Sequence, residues 1–363
     1  GCGNQDANKK RLIMSFPEDL MRENIRNLKP YQSARETHQA GGYVYLDANE
    51  NPFGKSLNRY PDPLQHDLKE RIGRQQSVDP SRIFLGNGSD EIIDLVIRAF
   101  VEPGTDNVII PQPTYGMYEV ASRVHGAEVR KPSLAEGFQP DVNTILEAAD
   151  RRSKIVFLCS PNNPSGNLLD EEKVVGLLKN FGGLVVLDEA YLEFADGAGF
   201  LPMLERFPNL VILRTFSKAA GLAGIRLGYA FAVPDIIKVF TSIKYPYNVN
   251  RLTQEMALRR IGKQRQVRKV VRLIRKERQL LTAFLNQCRF VEEVYPSDAN
   301  FLLVRVKDPG ALIGFLSEQG VIIRDRSNLA LCERSVRITV GKPRENKLLK
   351  KLCRAYDEKV NGP

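Results

Sequence analysis

The chain reads as an α/β protein: a large domain with a mostly parallel sheet between helices, plus a smaller α+β domain. Three observations carry this. Short apolar runs alternate with helical patterns from about residue 80 to 245. Those runs are continuously apolar, as strands covered on both faces must be. After residue 250 the pattern changes to a long helical segment followed by a mixture of strand-like and helical runs.

Taken in order, the candidate strands of the large domain are NVIIP (107–111), KIVFLC (154–159), GLVVLDE (183–189), LVILR (210–214) and LGYAFA (227–232). Helical stretches separate the first of them, such as EEKVVGLLKNF after a possible Asp170 cap. A long helical segment runs to about residue 286. It is followed by FVEEVYP, NFLLVRV, GALIGFLSEQG, VIIR, SVRITVG and a terminal helix. The expected division is an N-terminal arm over 1–45, partly belonging to the small domain, a large domain over 46–250, and a small domain over 251–363 that includes the linking helix. At 363 residues each unit can bury its own core.

Composition narrows the function classes. No apolar run approaches the about 18–20 residues needed to cross a bilayer. The start, GCGNQDANKKRLIM, lacks the continuous apolar stretch of a secretory signal, and Gly1 reads as an expression remnant. Cys2, Cys159, Cys288, Cys332 and Cys353 are scattered singly, which fits a reducing cytoplasm and no zinc site. His38, His66 and His125 are equally scattered, so neither a metal cluster nor a histidine-based triad is visible. The net charge of +10 is concentrated in Arg259–Arg278, with ten basic residues and one acidic one. Val267, Val270, Val271 and Ile274 place an apolar stripe in the same segment, so it reads as a helix with a solvated basic face. A polyanion-binding strip is the alternative, but no aromatic side chain interleaves with the charges to stack bases.

In a doubly wound sheet, ligands bind beyond the carboxyl ends of the strands, so the residues just after each run are the ones to inspect. KIVFLC leads into SPNNPSG, with Asn162 and Asn163. GLVVLDEAY places Asp188 after four apolar residues, and Tyr191 three further on. LVILR leads into TFSK, with Lys218, and Arg226 follows eight positions later. FLGNGSDEIIDL is a glycine-bearing turn opening a helix, with Gly88, Ser89 and Asp90 at its start, and free backbone N–H groups there form an anion site. Singly, each has a structural explanation as a cap or a turn. Together they gather an anion cradle, a carboxylate, an amide, a phenol, a lysine and an arginine at one sheet edge. Pyridoxal 5'-phosphate accounts for all of them. Its phosphate wants a helix N-terminus, hydroxyls and an arginine. Its pyridine nitrogen needs a carboxylate to stay protonated, its aldehyde needs a lysine, and its ring oxygen accepts from an amide and a phenol.

NNPSG, DEAY and SKAAGLAGIRLGY resemble the corresponding segments of the fold-type I aminotransferases. NLKPYQSAR, LDANENPFG, RYPDP, GNGSDEIIDL, PTYGMY, SDANFLLVRV and VRITVG are similar, in the same order, to the histidinol-phosphate aminotransferase branch of that family. The similarity covers nearly the whole chain from about residue 20. The resemblance implies that Lys218 carries the cofactor as a Schiff base, that Asp188 pairs with the pyridine nitrogen, and that Asn163 and Tyr191 bind the ring oxygen. It places Gly88, Ser89, Asp90, Thr215, Ser217 and Arg226 around the phosphate, and stacks Tyr115 on the ring. Tyr60 would reach the phosphate in a neighbouring subunit, implying a homodimer. Arg337 would face the carboxylate of glutamate, with Tyr31, Asn49 and Arg324 near the substrate. The implied reaction is amino transfer between histidinol phosphate and 2-oxoglutarate in histidine biosynthesis. The alternatives are an aminotransferase for aromatic or other amino acids, a phosphothreonine decarboxylase-like enzyme, or, outside the enzymes, a nucleic-acid-binding protein using the basic helix 259–278. Two departures stand out: Ser165 where threonine is commoner, and Ala220 where an aromatic is frequent.

Overall fold

The computed structural model describes residues 17–30, 35, 43–55 and 57–362. Tyr31, Cys2 and His38 lie outside the described residues.

The large sheet contains β1 (Ile83–Gly86), β2 (Asn107–Ile109), β3 (Glu128–Arg130), β4 (Ser153–Cys159), β5 (Leu184–Asp188), β6 (Leu210–Thr215) and β7 (Gly228–Phe231) in the order β1-β7-β6-β5-β4-β2-β3. The five strands from β3 to β6 run parallel. β7 is antiparallel to both of its neighbours, so LGYAFA does not continue the parallel run. The reason is the conformation of the connection. A parallel return is usually carried across the sheet face by a helix, whereas residues 216–227 contain no α-helix and turn the chain straight back, pairing Thr215 with Gly228. β1 and β3 are not among the strands expected from the sequence: β3 is only partly buried, and the short apolar run of β1 leads directly into the glycine turn.

Alternation along the strands sends successive side chains to opposite faces, and both faces are buried. Phe84, Val108, Phe157, Val186, Leu213 and Ala230 pack on one side with α2 (Ser89–Phe100), α3 (Met117–Val124) and α6 (Pro234–Ile243). Leu85, Ile109, Leu158, Leu187, Ile212 and Phe231 pack on the other side with α1 (His66–Gln76), α4 (Val142–Glu147), α5 (Glu171–Asn180) and α7 (Arg251–Ile261). Asp170 does stand at the start of α5, but its side chain makes no capping bond. It lies 3.7 Å from Lys173 instead.

The expected single long helix is two, α7 and α8 (Gln264–Leu285), divided at Gly262 and Lys263, where glycine has the weakest helix preference short of proline. The buried face of α8 is Val267, Val271, Glu277, Leu281 and Leu285. Val270 is 49% exposed and does not belong to the stripe. The small sheet, β8 (Val291–Val294), β9 (Phe301–Val306), β10 (Arg324–Asp325) and β11 (Ser335–Thr339), is antiparallel in the order β10-β11-β9-β8. It packs on the end of α8, α9 (Pro309–Glu318) and α10 (Pro343–Asn361). Among the described residues no helix is long and apolar enough to cross a membrane. No group of three or more potential metal-ligating side chains gathers among them either.

Candidate active site

Register brings the chemistry to one edge. Cys159 pairs with Asp188, and Asp188 with Leu213, so the segments after β4, β5 and β6 emerge side by side. Because β7 reverses, β1 points the same way as β6, and Gly86 lines up with Gly228 and Thr215. The turn at Gly88 therefore reaches the same edge from the far side of the sheet. One cleft is lined by Ser89, Asp90, Tyr115, Cys159, Asn163, Asp188, Tyr191, Thr215, Ser217, Lys218 and Arg226, with Ala190 and Ala223.

At the deep end Asp188 is 3% exposed. Its carboxylate accepts from the Tyr118 hydroxyl (2.8 Å) and the Ala190 N–H (3.0 Å). Both donors are neutral, and among the described residues Asp188 has no ion-pair partner, so burial pushes its carboxyl up to about 6. A buried carboxylate that lines the cleft and makes no ion pair among the described residues fits a group that brings a positive N–H, as a protonated pyridine ring does. Lys218 Nζ lies 5.4 Å from the centre of the Tyr191 ring. Burial, then the nearby Arg337 guanidinium, lower the Lys218 ammonium below its usual range. Asn163 donates to the Tyr191 hydroxyl at 3.5 Å.

At the outer end α2 begins with Gly88 at φ 83°. That conformation suits glycine, and a Cβ there would lie 2.8 Å from Arg226 Nη2. Gly228 is just as constrained, since its Cβ would meet the Ser89 N–H at 2.3 Å. Arg226 pairs with Asp90 at 3.0 Å, both partly exposed, and the Tyr115 hydroxyl reaches Asp90 at 3.3 Å. The Ser217 N–H donates to Thr215 Oγ1 at 3.0 Å. Helix N-terminus, hydroxyls and guanidinium together suit a phosphate.

The small sheet closes the cleft with arginines. Arg324 and Arg337 are directly paired across β10 and β11, and the Arg326 N–H continues the ladder to the Ser335 carbonyl at 2.9 Å. Arg337 donates to Asn163 Oδ1 at 2.5 Å. Burial, then Arg337 and Arg324, hold Arg326 down at about 10. None of the three ion-pairs with a carboxylate among the described residues, which leaves a cationic face for anionic substrate groups.

The structure thus gathers Lys218, Asp188, Tyr191, Asn163, Tyr115, Thr215, Ser217, Ser89, Asp90 and Arg226 in one cleft, with Gly88 beneath the guanidinium. Asn162 is structural: it accepts from Thr114 and donates to the Pro113 carbonyl and Ser165. Ser165 is fully buried in that network, away from the cleft. Asn49 and Tyr60 line a different cleft, with Tyr60 stacked on Tyr247 at 4.4 Å. Tyr118 and Arg326 are additions that the sequence pattern does not reveal directly. Tyr118 lies one helical turn from Tyr115 in PTYGMY, and their rings meet edge to face at 5.4 Å. That spacing is the available signal. Arg326 follows Arg324 by two positions, just past a strand of two residues that is too short to read.

The family described as "Aminotransferase class I and II" matches residues 39–355, and the chain belongs to that family of pyridoxal-phosphate-dependent transaminases. A histidinol-phosphate aminotransferase of Parabacteroides distasonis is 54% identical over 329 residues, covering 91% of this chain and 95% of that protein. The solved histidinol-phosphate aminotransferase of Sinorhizobium meliloti, in complex with pyridoxal-5'-phosphate, superposes with a TM-score of 0.76 at 28% identity, covering 85% of this chain and 90% of that one. An L-threonine-O-3-phosphate decarboxylase of Porphyromonas gingivalis gives a TM-score of 0.70 at 30% identity, covering 83% and 93%.

Proposed function

We propose that the chain transfers an amino group between histidinol phosphate and 2-oxoglutarate, using Lys218, Asp188 and Tyr191 as its catalytic groups. The observation that carries the reading is the combination of a buried carboxylate at Asp188, without an ion-pair partner among the described residues, and a cationic face at Arg324, Arg326 and Arg337. The strong similarity to a histidinol-phosphate aminotransferase supports the substrate.

When bound, pyridoxal phosphate supplies an electron sink for the carbon that loses its proton. Asp188 holds the proton on the ring nitrogen, and Tyr118 and the Ala190 N–H hold Asp188 in place. Asn163 and Tyr191 orient the ring oxygen. Tyr115 covers the ring face, while Gly88, Ser89, Asp90, Thr215, Ser217 and Arg226 seat the phosphate. Lys218 Nζ moves the proton that leaves the substrate Cα, and its lowered affinity for a proton favours the free amine that this requires. Arg337 receives the carboxylate of glutamate. Arg324, with Asn49 and Tyr31, contributes to the substrate end.

Tyr60 serves the neighbouring subunit of a homodimer. Supporting this, Tyr60 is 50% exposed and away from its own chain's cleft, beside the exposed apolar side chains Leu57 and Leu252. The same reading divides the chain into arm (1–45), cofactor domain (46–250) and small domain (251–363). The two separate sheets support that division, although Ala257 and Ile261 of α7 pack with the large sheet. Four buried free cysteines suit a cytoplasmic enzyme.

The test is a half-reaction. The holoenzyme is mixed separately with histidinol phosphate, phenylalanine, aspartate and L-threonine O-3-phosphate, and loss of the lysine-bound cofactor's absorbance is followed. Histidinol phosphate should react fastest and give the keto product. Faster reaction with phenylalanine, or release of carbon dioxide from the phosphothreonine, would overturn the substrate assignment.

A further inference from the structure

Behind the cofactor cleft, the ends of β5 and β6 are joined by a buried ion pair that takes no direct part in the chemistry. Side chains alternate along each strand, and Asp188 and Thr215 line the cleft. Their neighbours Glu189 and Arg214 meet on the opposite face of the sheet, and both are buried. Arg214 Nε and Nη2 donate to one Glu189 oxygen at 2.9 and 2.8 Å. The other Glu189 oxygen accepts from the Phe200 N–H at 2.6 Å. Arg214 Nη1 donates to Gln76 of α1 at 2.8 Å, and the guanidinium lies 5.5 Å from the centre of the Phe231 ring. The backbone is fitted closely around the pair: a Cβ at Gly199, where φ is 68°, would lie 2.5 Å from Glu189 Oε1.

Position and energetics both set this pair apart from an ordinary packing contact. The Glu189 N–H donates to the Leu213 carbonyl at 2.8 Å, the last backbone bond between the two strands among the described residues. Beyond it the chain segments part, one into the turn carrying Tyr191 and the other into the loop carrying Lys218. The ion pair ties them together where the ladder stops. As a source of stability it is a poor choice, because removing two charges from water offsets most of their attraction. Apolar side chains of similar size often stabilise a core as well or better. What they lack is a directional, two-armed tie between fixed points.

We propose that Glu189 and Arg214 are positioning residues, whose ion pair fixes the separation between the Asp188 carboxylate and Lys218. That separation sets how the cofactor fits between the partner of its ring nitrogen and the lysine at its aldehyde. The proposal rests on the assignment of Asp188 and Lys218 to the cofactor.

The double variant Glu189→Gln with Arg214→Met removes both buried charges and keeps an amide oxygen for the Phe200 N–H. Its cofactor-free form should unfold at or above the native temperature. Pyridoxal phosphate should nevertheless bind it at least about tenfold more weakly, because small misplacements of a preorganised site are expensive. In the holoenzyme kcat should fall by about 10–100-fold, with KM for histidinol phosphate and glutamate within about twofold. The absorbance of the lysine-bound cofactor should persist but titrate with a displaced midpoint. Arg214→Lys keeps a charged donor beside Glu189 without the two-armed contact, and should fall between the native protein and the double variant. Native affinity, kcat and midpoint in the double variant would overturn the proposal. So would a loss of affinity matched by an equal loss of stability in the cofactor-free form, the mark of a purely structural contact. If the double variant does not fold, Arg214→Lys decides alone, and native affinity and kcat there overturn the proposal. A native protein without the lysine-bound absorbance would instead overturn the assignment of Lys218, and this proposal with it.

Discussion

At the large sheet, Asp188 is 3% exposed and faces the cleft with two neutral donors behind it. At the small sheet, Arg324 stands exposed on a two-stranded ladder whose other guanidiniums, Arg326 and Arg337, are partly covered. Burial raises the proton affinity of the Asp188 carboxylate and lowers that of Arg326 and Arg337, because in each case it disfavours the charge. The consequences differ. A carboxylate near its own midpoint can be shifted by whatever cation arrives, so the deep end is built for chemistry. Guanidiniums remain charged throughout the working range, so the outer end is built for recognition. Changes at the deep end should therefore lower kcat, whereas those at the outer end should act on KM and depend on salt.

The largest effect is expected at Lys218. Lys218→Ala should reduce turnover by at least about 10⁴-fold, at the upper range for a positioned proton-transfer group, and abolish the absorbance of the lysine-bound cofactor. Retention of both would break the assignment of the deep end. Asp188→Asn should follow, lowering kcat by about 10²–10³-fold, as loss of a preorganised electrostatic partner does, with KM for 2-oxoglutarate little changed.

The same residue carries a pH signature. The folded carboxyl titrates at about 6, above its unfolded value of about 3.9. Between those values the folded cofactor-free protein binds more protons than the unfolded chain, so this group's contribution to stability is lost as pH rises through 6. Asp188→Asn removes that dependence. The cofactor-free variant should thus gain stability relative to the native apoprotein as pH rises from about 4 to 6, by on the order of 3 kcal/mol. Urea titrations at each pH would measure this, and parallel curves for the two proteins would refute burial as the origin of the Asp188 shift.

Much of this contrast is legible in the sequence, and the exceptions have physical causes. The apolar runs mark β2 and β4–β6 because strands buried on both faces leave an unbroken apolar signature. Lys218, Asp188 and Asn163 stand out because each follows such a run. The reversal at β7 does not, since a four-residue strand reads the same in either direction. Gly262 splits the expected helix because a local loss of propensity outweighs an otherwise helical pattern. Tyr118 is hidden by its burial: only the folded register sets its hydroxyl against Asp188.

Arg337→Gln probes the outer end where it touches the inner one. It removes a charged donor, worth about 1.5–3 kcal/mol, so kcat/KM for glutamate should fall by about 10–100-fold, mainly through KM. A fall confined to kcat would mean that Arg337 acts through Asn163 or Lys218. Tyr118→Phe is expected to cost less. It deletes one hydrogen bond of about 1 kcal/mol to the carboxylate, lowering kcat several-fold. The hydroxyl favours the charged form of Asp188, so its loss should move the cofactor-free carboxyl further up, and the stability–pH profile should shift the same way. An unchanged profile would assign Tyr118 to packing against Phe157, on which it stacks at 4.9 Å.

The smallest effect, and the sharpest test of the contrast, belongs to Arg326. It makes no ion pair among the described residues. Its side chain donates to the carbonyl of the preceding Asp325, at 3.3 Å, so replacing it with glutamine removes charge while disturbing little structure. Arg326→Gln should leave the glutamate half-reaction within about twofold, because Arg337 keeps its own contact with Asn163. It should weaken use of the phosphorylated donor several-fold, in line with a partly screened charge interaction, and the difference should shrink as salt rises. Equal losses for both substrates would place Arg326 in the shared carboxylate site. A loss that persists in high salt would mean that its role is steric, and the division between a deep chemical end and an outer electrostatic one would have to be redrawn at that residue.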